Sequence, residues 1–168
     1  MNTSRSLYNR DVALTRWMAK YSITLLRISV GIVFFWFGFI KYFPGWSPAT
    51  ELAIMTIDTL TLGIITGQVA LYLLATLEVV IGIFLIFKLF LKETLLLLAF
   101  QMLGTIAPLF LFPGDAFTRI PYAPTLEGQY IIKNIIIISA ALVIGATVRG
   151  GRLIADPEKI KEKYDDID

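Results

Sequence analysis

Apolar residues along this chain gather into four long runs instead of alternating with polar ones. The runs are roughly Ser22–Phe43, Val69–Phe87, Thr94–Phe112 and Gln129–Val148. Each approaches the about 20 residues that a helix needs to cross a hydrocarbon core. The pattern predicts an all-α fold, an integral membrane four-helix bundle over residues 22–149. Residues 1–21 precede it as a polar, basic tail, and residues 150–168 follow it as a charged one. The first tail is too long and polar for a cleaved leader. The apolar run after it exceeds the roughly 7–15 residues of a signal-peptide core, so it reads as a retained anchor.

The stretches between the runs differ. Residues 44–67, PGWSPATELAIMTIDTLTLGIITG, open with Ser47-Pro48, a pairing that suits a cap followed by a first helical position. Glu51 and Asp58 interrupt the apolar pattern that follows. The expectation is a short helix capping the bundle or lying on the membrane surface. Lys88–Glu93 predicts a tight turn, and FPGDAFTRIPYAPTLEG, residues 112–128, a long loop with three prolines.

Lys and Arg are distributed unevenly over these connections. The first tail holds Arg5, Arg10, Arg16 and Lys20, and the second connection Lys88 and Lys92. The last tail holds Arg149, Arg152, Lys159, Lys161 and Lys163, while the other two connections hold only Arg119. The positive-inside rule then predicts a multi-pass membrane protein with both termini cytoplasmic.

Composition narrows the chemistry. Hydrophobic residues make up 57% and charged residues 17% of the chain, against about a quarter charged in soluble domains. Cys and His are both absent. The chain alone therefore offers no disulfide, iron–sulfur cluster, His-ligated haem or thiolate metal site. A redox role needs a bound organic cofactor or a partner subunit. A net charge of +2 without a basic, aromatic-interleaved run gives no sign of nucleic acid.

Polar residues inside the runs are the candidate site. Arg27, Gly31, Phe34, Gly38 and Lys41 fall on one helical stripe. The two glycines allow a second backbone to approach closely, so the stripe faces protein. Arg27 and Lys41 stand roughly 21 Å apart along the helix and cannot share one site. Each could snorkel to its nearer interface; Arg27 better suits an anchor or ion pair, and Lys41 a ligand contact.

Glu78 lies in the middle of the second run, on a stripe with Ala75 and Gly82. An intramembrane carboxylate is a candidate catalytic group, or else a packing partner for Arg27 or Lys133. Gln101, Thr105 and Pro108 share a face of the third run, where Pro108 predicts a kink and Gln101 polar packing. Tyr130, Lys133 and Asn134 open the fourth run. Together with Lys41 and Glu127 they are expected to converge over Glu78 at the outer end. Such a pocket suits the carbonyls of a quinone or a small anion, and spacing alone does not choose.

The same residues carry a family resemblance. LLRISVGIVFFWFGFIKYFPG resembles the first span of the DoxX/DoxD-like membrane proteins, LEVVIGIFLIF their second, and EGQYIIKNIIIISAALVIGA their last. In the last, Gly128, Tyr130, Lys133 and Asn134 match an opening Gly-x-Tyr/Leu-x-x-Lys-Asp/Asn pattern. The likeness extends over residues 22–149 and is greatest to the YkgB-type branch of inner-membrane proteins, which implies the inner membrane of a prokaryote. It implies a four-helix membrane bundle in which Arg27, Lys41, Glu78, Lys133 and Asn134 are the matching positions. It also implies a membrane subunit of a quinone-linked oxidoreductase, like that of thiosulfate:quinone oxidoreductase, or of an oxidative-stress defence system. The implied cofactor is a quinone, and the implied partners are other membrane or periplasmic subunits or further copies of the chain. A non-catalytic scaffold or accessory subunit is the alternative, and a small-solute transporter the third reading.

Overall fold

The computed structural model describes residues 2–43, 45–48 and 50–156. Helix α1 (Asn2–Ile40) is followed by a short α2 (Thr50–Leu60), then by α3 (Gly67–Phe87) and α4 (Leu91–Ile106). Two single-turn helices, α5 (Pro108–Leu111) and α6 (Pro113–Ala116), lead to a small hairpin of β1 (Phe117–Arg119) and β2 (Ala123–Pro124). The last helix is α7 (Leu126–Thr147). Among the described residues, Leu7–Ile40, Gly67–Phe87, Leu91–Leu111 and Leu126–Thr147 are long and apolar enough to cross a bilayer. The protein is a multi-pass, all-α membrane bundle with the expected extra helix between its first two spans.

The first span departs from expectation at its start. Residues read as a polar tail continue the helix, so α1 runs 39 residues. At about 1.5 Å per residue it extends about 58 Å, nearly twice a roughly 30 Å hydrocarbon core. The reason is local: no glycine precedes Gly31 and no proline precedes Pro44, so nothing ends the helix where the hydropathy changes. Arg5's side chain, Lys159, Lys161, Lys163 and the rest of residues 157–168 lie outside the described residues.

Small residues set the packing of α1 on α3. A Cβ added at Gly38 would stand 2.8 Å from both the Glu78 Cβ and the Val79 nitrogen. One added at Gly31 would stand 2.9 Å from the Gly82 carbonyl, and one at Gly82 would overlap the Phe35 backbone. The two helices thus run antiparallel with their backbones touching, as the glycine stripe requires. Around this seam Val30, Phe34, Ile81, Leu85, Leu98, Met102 and Ala140 form the core. Helix α3 is the central element, packed on α1, α2 and α4 and more deeply buried in the protein than α7.

The connections explain the remaining register. Lys88 ends α3 in the left-handed region (φ 59°), its N–H turned back to the carbonyls of Phe84 and Leu85. Phe90 (φ 42°) completes the turn into α4. Pro108 has no N–H to donate, so the third span breaks between α4 and α5; it resumes as Leu111 donates to Ala107 at 3.0 Å. Helix α2 begins at Thr50, whose hydroxyl donates to the Ser47 carbonyl at 2.9 Å. The helix thus starts two residues later than Ser47-Pro48 suggested, with Pro48 in the turn that precedes it. With Leu52 and Thr56 buried, α2 packs on α3 and touches α4 and α5.

The loop before α7 is more built than its prolines suggested. Phe117 pairs with Pro124 and Arg119 with Ala123, strands too short for alternation to register in the sequence. Thr125 caps α7 by accepting from the Gly128 N–H at 3.1 Å, and its hydroxyl donates to the Asp115 carbonyl at 2.7 Å. Gly128 is seated directly against the Ala116 carbonyl, where any Cβ would clash.

Candidate functional site

Lys41 follows the last residue of α1, in a tightened final turn whose N–H groups reach back three residues. Its ammonium does not snorkel toward the nearer end of the bundle. Side chains on a helix lean toward its N-terminus, and Lys41 Nζ turns back to donate to the Phe37 carbonyl at 3.1 Å. It also meets Glu78 Oε2 at 2.6 Å. Both residues are buried, 9% and 8% exposed. Glu78 therefore pairs with Lys41, not with Arg27 or Lys133.

Gln101, from α4, completes the group. Its Nε2 donates to Glu78 Oε1 at 3.0 Å, so each carboxylate oxygen holds one partner. Gln101 is 6% exposed, and its Oε1 is buried without a hydrogen-bond partner. Lys41 has three N–H groups and two recorded acceptors. Lys41 and Gln101 thus each keep one N–H, and Gln101 keeps one acceptor, beside the buried carboxylate. Gly38 makes this possible, since a side chain there would occupy the place of the Glu78 Cβ. Next to Lys41, the Tyr42 hydroxyl lies 2.7 Å from Thr76 Oγ1 and joins the end of α1 to α3 a second time.

Arg27 has a separate task. Its guanidinium donates to the carbonyls of Leu85 and, at 2.8 Å, Ile86. These belong to the last turn of α3, where, among the described residues, the Leu85 carbonyl otherwise has only the long 3.3 Å contact from the Lys88 N–H and the helix dipole is negative. A cation buried there serves as a cap. From Leu85 to Glu78 is about 10 Å along α3, which explains why Arg27 does not reach the carboxylate.

The expected convergence of the α7 residues on Lys41 is not found. The buried stripe of α7 passes through Gly128, Ile131, Ala140 and Ile144. Lys133 is two residues past Ile131, about 200° around the helix, and is exposed. Its ammonium lies 5.0 Å from the centre of the Tyr130 ring, so these two meet each other. Asn134 and Glu127 are half-buried, Glu127 in the first turn of α7. Among the described residues no hydrogen bond or ion pair joins any of the four to Lys41 or Glu78.

The Lys41–Glu78 pair follows from the register of the small residues. Placing Gly31 opposite Gly82 and Gly38 opposite Ala75, antiparallel, puts Arg27 opposite Ile86 and Glu78 within reach of Lys41. The free acceptor on Gln101 carries no such signal, because it depends on the rotation of α4.

Neither a curated protein nor a solved structure matches the chain. The DoxX family model matches residues 22–113, a stretch that holds Arg27, Lys41, Glu78, Gln101 and both seam glycines of α1 and ends before α7. With more than half of its length matched, and with the matched stretch carrying the buried polar group, the chain belongs to the DoxX family.

Proposed function

We propose that this DoxX protein is the membrane subunit of a quinone-linked oxidoreductase or of an oxidative-stress defence system, with a quinone as its substrate. The observation that carries this reading is the Lys41–Glu78–Gln101 group, buried within the spans with an acceptor left over on Gln101. A quinone carbonyl takes a hydrogen bond from an ammonium such as that of Lys41. The hydroxyl formed on reduction can donate to Gln101 Oε1, and Glu78 is the group on hand to hold the proton. Reduction to quinol consumes electrons and protons in equal number. A chain without Cys or His leaves the electrons to a reduced sulfur compound or another donor bound by a partner subunit.

The basic residues support an inner-membrane placement with both termini inside. Arg10, Arg16, Lys20, Lys88, Lys92, Arg149 and Arg152 cluster at the end of the bundle where α1 starts and α7 stops, and Arg119 stands at the other. Lys41 and Glu78 then belong to the outer half, under α2. Extraction and mass spectrometry of protein purified from its native membrane tests the reading. Copurified quinone is expected; quinone-free protein, with no effect on quinone reduction when donors are supplied, contradicts it.

A second reading has its own support. Arg27, Lys41 and Glu78 are all bonded inside the protein, as the internal staples of an accessory subunit would be. On that reading Glu78→Gln changes stability or recovery of a complex and leaves quinone binding untouched.

A further inference from the structure

We propose that the chain carries a site for the phosphate of an anionic phospholipid at the end of the bundle opposite Glu78. Arg16, Ala19 and Lys20 of α1 and residues Arg152–Ala155 line a shallow cleft of about 280 Å³ that is open to the surface. Two chain segments far apart in sequence therefore bring three cations to one cleft. Among the described residues Arg16 and Arg152 have no hydrogen-bond or acidic partner, and the Lys20 ammonium lies over the Tyr21 ring at 5.0 Å. Unpaired guanidinium groups present the fork of donors that matches phosphate oxygens.

The cleft is a built feature. Gly150 adopts φ +96°, and Gly151 lies so close to the Ala146 carbonyl that a side chain would clash. This pair of glycines folds the chain sharply off the end of α7 and carries Arg152 across to α1.

Depth selects the ligand. The apolar part of α1 begins at Ser22, so Lys20 and Arg16 stand roughly 3 Å and 9 Å beyond it along the helix. The headgroup layer adds about 5–8 Å on each side of the core. The cations thus bracket the depth of lipid phosphates. Trp17 and Tyr21, exposed on the same stretch of α1, are the residue types that settle at that interface. A lipid phosphate and a free phosphate share the same chemistry, but this depth favours the lipid.

Native mass spectrometry of the full chain, released from vesicles of phosphatidylcholine with phosphatidylglycerol, tests the site. Wild type should retain phosphatidylglycerol in preference to phosphatidylcholine. Arg16→Gln with Arg152→Gln should weaken retention roughly 30-fold, each charge contributing about a factor of five. Both side chains are exposed, so no core contact is lost. Arg16→Lys with Arg152→Lys keeps the charge and should retain much of the preference, whereas Gly151→Ala keeps every charge and should reduce it. Equal retention of the two lipids by wild type, or equal behaviour of the Gln and Lys variants, overturns the proposal. So does inorganic phosphate binding to protein in pure phosphatidylcholine without any preference for phosphatidylglycerol, which assigns the cleft to a soluble anion.

Discussion

The Lys41 ammonium and the Glu78 carboxylate meet at 2.6 Å between two helices whose backbones touch at Gly38. The closeness of the backbones and the burial of the charges depend on each other. Without glycine the helices would separate, and without the ammonium the carboxylate would stand unpaired in an apolar seam.

Removing one charge is therefore expected to cost more than removing both. Lys41→Met should destabilise the bundle by about 3–5 kcal/mol, because it strands a buried carboxylate. Lys41→Met combined with Glu78→Leu should recover most of that loss. Reversible unfolding in mixed micelles reads both, and additive losses would show that the pair is not coupled.

The seam itself makes a second prediction. Gly82→Ala should disrupt the bundle, since the added methyl overlaps the Phe35 backbone. Gly104→Ala, with nothing within 4 Å of its added Cβ, should be neutral or stabilise by about 0.5–1 kcal/mol as alanine does in a helix. Thermal denaturation of the two variants side by side separates close approach from helix propensity.

Arg27 offers a third. Arg27→Leu should cost about 1–3 kcal/mol by taking the guanidinium donors from the Leu85 and Ile86 carbonyls. The damage should be local: hydrogen exchange should quicken around Leu85–Leu89, while the Lys41–Glu78 end keeps its protection. Arg27→Lys should restore part of it, because a single ammonium can still reach a carbonyl.

The spans, the capping helix and the inward-facing glycine stripe were legible in the sequence, because lipid imposes long apolar runs and close helix contacts impose small residues at regular spacing. The start of α1 was not, since hydropathy marks where a membrane ends and not where a helix does. The separate positions of Arg27 and Lys41 followed from rise alone. That Lys41 would meet Glu78 needed the antiparallel register of α1 on α3, and that Lys133 would point away needed the rotation of α7. Neither is written in one helix taken by itself.

The most direct measurement is titration of a short-chain quinone into purified wild type and Glu78→Gln, read as ligand-induced thermal stabilisation. Gln keeps the shape of the side chain and removes its charge. Saturable stabilisation of wild type is expected, with an affinity lower by roughly tenfold or more in the variant, as follows from losing a charge-assisted bond beside the ligand. No stabilisation of wild type, or the same affinity in both proteins, would contradict it.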